Sequence, residues 1–195
     1  MSEEELILAS GSPRRRDLLT EAGYEFRVVQ PGIEEIEDGS IPIRKLTSTN
    51  ARLKAEAVAS RHPGAVVIAA DTLVLLDDTV LSKPLDRDEA TRMLNSLNGN
   101  SHQVFTAVMI VHQQSGKKLP LTVTTDVHFK ALSEKEMAAY HERINPMDKA
   151  GAYAAQEHGE LIIDRIEGSM TNVIGLPMEE VSEALRSEFG ISPAG

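Results

Sequence analysis

Apolar residues occur both in short runs and at helical spacing, and the two patterns alternate along the whole chain. The run LILAS (6–10) reads as a short buried strand. Ser12 then suits a helix N-cap, Pro13 the first helical position, and Arg14 to Ala22 the helix, closed by Gly23. FRVVQPGI (26–33) predicts a second strand and EEIEDGS (34–40) an acidic loop. From Ile43 to Arg61 a helical period holds, with Leu46, Leu53 and Ala57 on one side, until Pro63-Gly64 stops it. Residues 65–84 read as two strands around a turn at Asp77-Asp78. A helix over 87–97 lies between the N-cap Asp86 and Gly99. Two long strands, 102–113 and 119–132, flank the turn QSGK, and Ser133 with Glu136 forms a capping box for a helix to about Ile144. Residues 146–159 are loop-like, 160–168 and 170–175 read as strands, and Pro177 opens a last helix that stops at Gly190.

Helices and strands mixed in this way, with hairpins in the middle, predict an α/β fold in which helices cover a mixed sheet. A length of 195 residues favours one domain, 1–195, or one domain with two lobes. The chain has no Cys, which excludes disulfides, thiolate metal sites and a Cys nucleophile, and fits a cytoplasmic protein. The acidic start MSEEE lacks the sections of a secretion signal, and no apolar run is long enough to span a membrane. Aromatic residues make up only 4% of the chain and there is no Trp, which disfavours a stacking surface for single strands. The formal net charge of −10 disfavours general affinity for nucleic acid, so a local basic cluster gains meaning.

Such a cluster is Arg14-Arg15-Arg16, at the positive end of a predicted helix where cations are disfavoured. A strand, a small-residue turn and a helix N-terminus also form an anion pocket, and an anion between them removes the conflict. The alternative is three solvated side chains. The stretch matches neither G-x-x-x-x-G-K-[ST] nor G-x-G-x-x-G. Asp71 stands between VVIAA and LVLL, so it is either a strand break satisfied by backbone N–H groups or a metal ligand or general base. Lys83 directly follows a strand and Lys54 sits mid-helix among alanines; taken singly, both read as ordinary solvated lysines. The acidic loop offers Glu34, Glu35 and Glu37; such a run reads as a solvent face, or one or two of its oxygens join Asp71 around Mg²⁺. The histidines are scattered, and no G-x-S-x-G elbow supports acyl transfer.

Taken together, LILASGSPRRRDLL (6–19), AADTLVLLDDTVLSKP (69–84), MDKAGAYAAQEHG (147–159) and GSMTNVIGLPMEEV (168–181) resemble the Maf family of nucleotide pyrophosphatases, once named septum-formation inhibitors. The resemblance implies a Maf/ITPase-like fold, with a mixed, largely antiparallel twisted sheet, flanking helices and two lobes around a deep cleft. It implies a commonly dimeric enzyme that uses a divalent cation, Mg²⁺ or Mn²⁺, to cleave nucleoside triphosphates to the monophosphate and pyrophosphate. Carried onto this chain, Asp71 matches the proton acceptor. Ser10, Arg14, Arg15, Lys54 and Lys83 match triphosphate-holding positions, and Glu35 matches the acid that joins Asp71 at the metal. Arg14, Thr72 and Gln156 match the positions that separate subgroups by base, and resemble the dTTP/UTP branch rather than the 7-methyl-GTP branch. Many members carry Gly-Ile where this chain has Ala154-Ala155. The older family name implies a different reading, a cell-division inhibitor acting by partner binding. The substrate expected is a pyrimidine nucleoside triphosphate, modified ones included, with no nucleic acid or membrane partner.

Overall fold

A computed structural model describes residues 5–38 and 40–194. Residues 1–4, most of the acidic start read above, and Gly39 of the acidic loop lie outside the described residues. The chain divides into two compact units. One gathers the described residues through Asp71, Thr106–Val123 and those from Gly175 onward; the other gathers Thr72–Phe105 and Thr124–Ile174.

In the first unit, β1 (Leu6–Leu8) pairs in parallel with β2 (Arg27–Val28) and with the start of β3 (Val66–Leu76), placing Ile7 opposite Arg27 and Val67. Helix α1 (Pro13–Glu21) follows β1 directly. Helix α2 (Ile43–Ala59) packs Ala51, Ala55, Val58 and Ala59 onto Ile7, Ala9, Val67 and Ala69. Small side chains on both faces let helix and sheet approach closely, so any larger group there needs a specific partner. The last helix, α6 (Met178–Phe189), ends at Gly190 with a left-handed φ of 68°, the conformation that favours glycine after a helix.

In the second unit, the end of β3 turns at Asp77 into β4 (Thr79–Leu81), antiparallel with Val74 opposite Leu81. Helix α3 (Arg87–Leu97) is capped by Asp86, whose carboxylate accepts the Glu89 N–H at 2.7 Å. Strands β5 (Ser101–His112) and β6 (Lys117–Phe129) form the long hairpin, of which Thr106–Val123 belongs to the first unit and the rest to the second, and β7 (Ile163–Glu167) is antiparallel to β6. Helix α4 (Glu134–His141) carries the expected capping box and ends earlier than the sequence pattern suggests. The strand order is β2-β1-β3-β5-β6-β7, with β4 on β3, a mixed α/β sheet as expected.

Three local expectations change. The predicted strand 170–175 is helix α5 (Met170–Ile174): the Ser169 hydroxyl accepts the Asn172 N–H at 3.2 Å, and this cap outweighs the strand preference of Thr, Val and Ile. Of the strand expected over 26–33, only Arg27–Val28 is strand, with the Val29 N–H still donating to the Leu8 carbonyl at 3.0 Å. Ser12 holds the N-cap position of α1 without a side-chain cap; its own N–H donates to Ser10 Oγ at 3.2 Å.

Candidate active site

The Arg triplet divides as the chain enters α1. Arg16 turns outward and pairs with Asp17 on the surface at 2.9 Å. Arg15 turns inward: its Nε donates to the Gly175 carbonyl at 2.8 Å and its Nη1 to Ser10 Oγ at 3.2 Å. Ser10 is buried, and its hydroxyl thus receives both the Ser12 N–H and the Arg15 guanidinium. Burial pulls the Arg15 guanidinium below its usual value; the Asp71 charge opposes that, Arg14 adds to it, and Glu35 opposes it. The guanidinium stays charged at any working pH. Two cations adjacent in sequence thus stand in the first turn of a helix that has no acidic residue there, the end at which the helix dipole favours negative charge.

The sequence pattern on α2 points Leu46, Leu53 and Ala57 inward; Leu46 is buried as expected, but Leu53 and Ala57 are only partly buried, and the inner face carries Thr47, Asn50 and Lys54 beside alanines and Val58. Lys54 is therefore no solvated lysine. It is 6% exposed, and its Nζ donates to Asp71 Oδ1 at 2.8 Å and pairs with Glu35 Oε2 at 3.0 Å. Asp71, the last residue of the first unit, is 5% exposed. Its other oxygen accepts from Asn50 Nδ2 at 3.4 Å. A buried carboxylate needs such partners, and here they are side chains, not the backbone N–H groups of the strand-break alternative. Asn50 is the residue of this site that sequence reasoning did not find. The signal was present: a polar amide four residues from Leu46 and four from Lys54, on the face that Leu46 marks as inward.

Glu35 and Asp71 are two hard oxygen donors gathered on one positive centre, the Lys54 ammonium. Mg²⁺ and Mn²⁺ suit such a set, because they use one or two protein carboxylates and complete their shell with water and phosphate oxygens. Among the described residues, no group of three or more His, Asp or Glu side chains is arranged to hold a metal by itself. The two carboxylates fit a cation that takes its remaining ligands from water and phosphate oxygens.

The first unit thus brings together Ser10, Arg14, Arg15, Glu35, Lys54 and Asp71. The remaining sequence candidates belong to the second unit. Thr72 is half-buried on β3, and Lys83 is exposed on the connection after β4. Gln156 is exposed, its Nε2 donating to Glu157 Oε1 at 3.3 Å. The segment carrying Gln156 is tied to the one carrying Lys83, since the Gly151 N–H donates to the Ser82 carbonyl at 3.1 Å. Gly151 has φ 71°, and a Cβ there would meet Val74 Cγ2 at 3.2 Å, so the turn requires glycine. The buried Lys149 Nζ braces the same segment through the Asn145 carbonyl and Asp148 Oδ1, both at 2.9 Å.

One family's sequence model, Maf-like protein, matches residues 5–188, a span that contains every residue of the cluster around Asp71. This chain belongs to the Maf-like family. A relative in Akkermansia muciniphila is 47% identical over 180 residues, 92% of this chain and 94% of its own. Another in Pelotomaculum thermopropionicum is 42% identical over 187 residues, covering 96% and 97%, and one in Vibrio cholerae is 44% identical over 189 residues, covering 95% and 98%. All three relatives carry the name dTTP/UTP pyrophosphatase. Among solved structures, a Ham1 protein of Staphylococcus aureus aligns with a TM-score of 0.45 and 17% identity over 65% of this Maf-like chain and 72% of that one.

Proposed function

We propose that this Maf-like protein is a nucleoside triphosphate pyrophosphatase that hydrolyses dTTP and UTP to the monophosphate and pyrophosphate. The observation that carries the reading is the buried Asp71 carboxylate, held by Lys54 within the field of the Arg15 guanidinium. The names of relatives more than 40% identical over nearly the whole chain support the same activity.

In this reading Ser10, Arg14, Arg15, Lys54 and Lys83 bind the triphosphate. Phosphate oxygens compete with the two carboxylates for the Lys54 ammonium. Asp71 accepts the proton of a water that attacks the α-phosphorus; the bond from that phosphorus to the bridging oxygen breaks, and pyrophosphate leaves. General-base assistance of this kind contributes about 10²–10⁴-fold. Glu35 and Asp71 would hold the divalent cation, Mg²⁺ or Mn²⁺, which when bound offsets the negative charge that develops on the leaving group. Arg14, Thr72 and Gln156 set the base preference. The Gln156 amide offers one donor and one acceptor, matching the O4 and N3–H edge of uracil and thymine. Modified pyrimidine nucleotides present the same edge and are candidate substrates. The family resemblance also supports a cytoplasmic homodimer in which 1–195 works as one domain. Among the described residues, no helix is long and apolar enough to cross a membrane.

The test is a panel of dTTP, UTP, CTP, ATP and GTP with Mg²⁺ or Mn²⁺, scoring pyrophosphate against orthophosphate. Pyrophosphate release from dTTP and UTP in preference to the others is expected. Release of orthophosphate would place the cleavage at another bond, and no release from either pyrimidine would remove the assignment.

A further inference from the structure

Asn50 is 3% exposed on α2, in a buried helix face that it shares with Leu46, Thr47, Lys54, Val58 and three alanines. A buried amide costs stability unless its polar atoms are bonded, and an apolar side chain of similar size would pack there without that cost. Its bonds are all directed at the acidic site. Asn50 Oδ1 accepts the Ile36 N–H at 2.9 Å, and Nδ2 donates to the Ile36 carbonyl at 3.1 Å and to Asp71 Oδ2 at 3.4 Å.

The first two bonds grip both polar groups of one loop residue, as a strand partner would. That residue is adjacent to Glu35. Between β2 and α2 the described residues form no helix or strand, so this connection has little regular structure to hold it. Loops of this length without structure of their own are commonly functional, and they need such anchors to present a side chain. The third bond places the same amide on Asp71. Aspartate at position 50 offers no N–H donor when ionised, and leucine bonds to neither partner; asparagine supplies donors and acceptor on a short stem.

We propose that Asn50 is a positioning residue that couples the acidic loop to Asp71 and so sets the spacing between the Glu35 and Asp71 carboxylates. The inference rests on the roles given to those two acids above. It adds a residue that none of the phosphate, base or proton roles includes.

Two variants and one direct measurement test it. Asn50→Leu removes every bond; Asn50→Asp retains an acceptor for the Ile36 N–H and loses the donors. For both, folded as judged by far-UV circular dichroism, kcat for UTP with Mg²⁺ is expected to fall about tenfold or more, because small misplacements of reacting groups are costly. KM is expected to stay within about threefold, because the phosphate-binding side chains are untouched. A purely structural role would lower the melting temperature without this split. Amide exchange at Ile36 is read in parallel: in the wild type it is expected to be slower than at Glu34 and Glu37, and in Asn50→Leu to accelerate about tenfold or more. A folded variant with wild-type kcat, or a loss confined to KM, would overturn the proposal. So would wild-type Ile36 exchanging as fast as its neighbours, a result that needs no variant to fold. If the wild type releases no pyrophosphate, the assignment of function falls, while Ile36 exchange still decides the tether.

Discussion

Replacing Lys54 by Met removes one ammonium from the interior and leaves the Asp71 side chain, 7% exposed, with an Asn50 amide at 3.4 Å as its remaining hydrogen-bond donor. Ala51 and Ala55, on the same buried face of α2 as Asn50 and Lys54, offer no hydrogen bond in place of the ammonium. Breaking a buried pair in this way costs about 3–5 kcal/mol, and the Arg15 charge that also reaches Asp71 offsets part of the loss, so the lower end is expected. That is a large share of the 5–15 kcal/mol that holds a typical domain. Replacing both members, Lys54→Met with Asp71→Leu, removes both charges and is expected to restore most of the loss, since apolar substitutes for a buried pair are often neutral or stabilising. The assay is urea unfolding at pH 7 followed by far-UV circular dichroism for the wild type, the two single variants and the double variant. The expected coupling energy is about 3 kcal/mol. Single effects that simply add, within about 0.5 kcal/mol, would refute the reading of Lys54 and Asp71 as one buried pair.

Burial, helped by the nearby His128, holds the His102 imidazole down at about 4, although Asp126 pulls the other way. The unfolded chain therefore binds a proton near pH 6.5 that the folded chain refuses. The neutral His102 costs nothing above about pH 7, and stability falls as pH drops from about 6.5 towards 4, by about 2 kcal/mol at pH 5. Urea unfolding of the wild type and His102→Asn at pH 8 and pH 5 isolates this contribution; an identical loss in both would remove it. Gln156→Glu exchanges the amide donor for a second acceptor, so UTP turnover is expected to fall about tenfold more than GTP turnover. Equal losses on both nucleotides would end the part given to Gln156 in base selection.

Much of the framework was legible. Asp86 and Ser133 announced their helices because a capping side chain acts on N–H groups three residues away, within reach of local sequence. Asp71 stood out because a carboxylate inside an apolar run has few ways to be stable. Less legible was the inner face of α2. Apolar periodicity points Leu53 and Ala57 inward, whereas the helix rotates to bury Lys54 and Asn50, whose partners lie on β3 and the acidic loop. No local rule contains those distant partners. The Arg triplet shows the same limit: Arg16 lies on the surface as the solvated reading has it, whereas Arg15 turns inward, and only the Gly175 carbonyl and the Ser10 hydroxyl distinguish the two. Helix α5 was mistaken for a strand because a single hydroxyl cap outweighed the intrinsic preference of its five residues.

The central claim is that Asp71 takes the proton while its cationic neighbours hold the nucleotide, and Asp71→Asn tests it most directly. The asparagine preserves size and leaves Lys54 paired with Glu35 at 3.0 Å. Pyrophosphate release from UTP and dTTP with saturating Mg²⁺, measured beside the wild type, is expected to drop by about 10²-fold or more while the circular dichroism spectrum is retained. A folded Asp71→Asn protein that turns over either nucleotide at the wild-type rate would contradict the account.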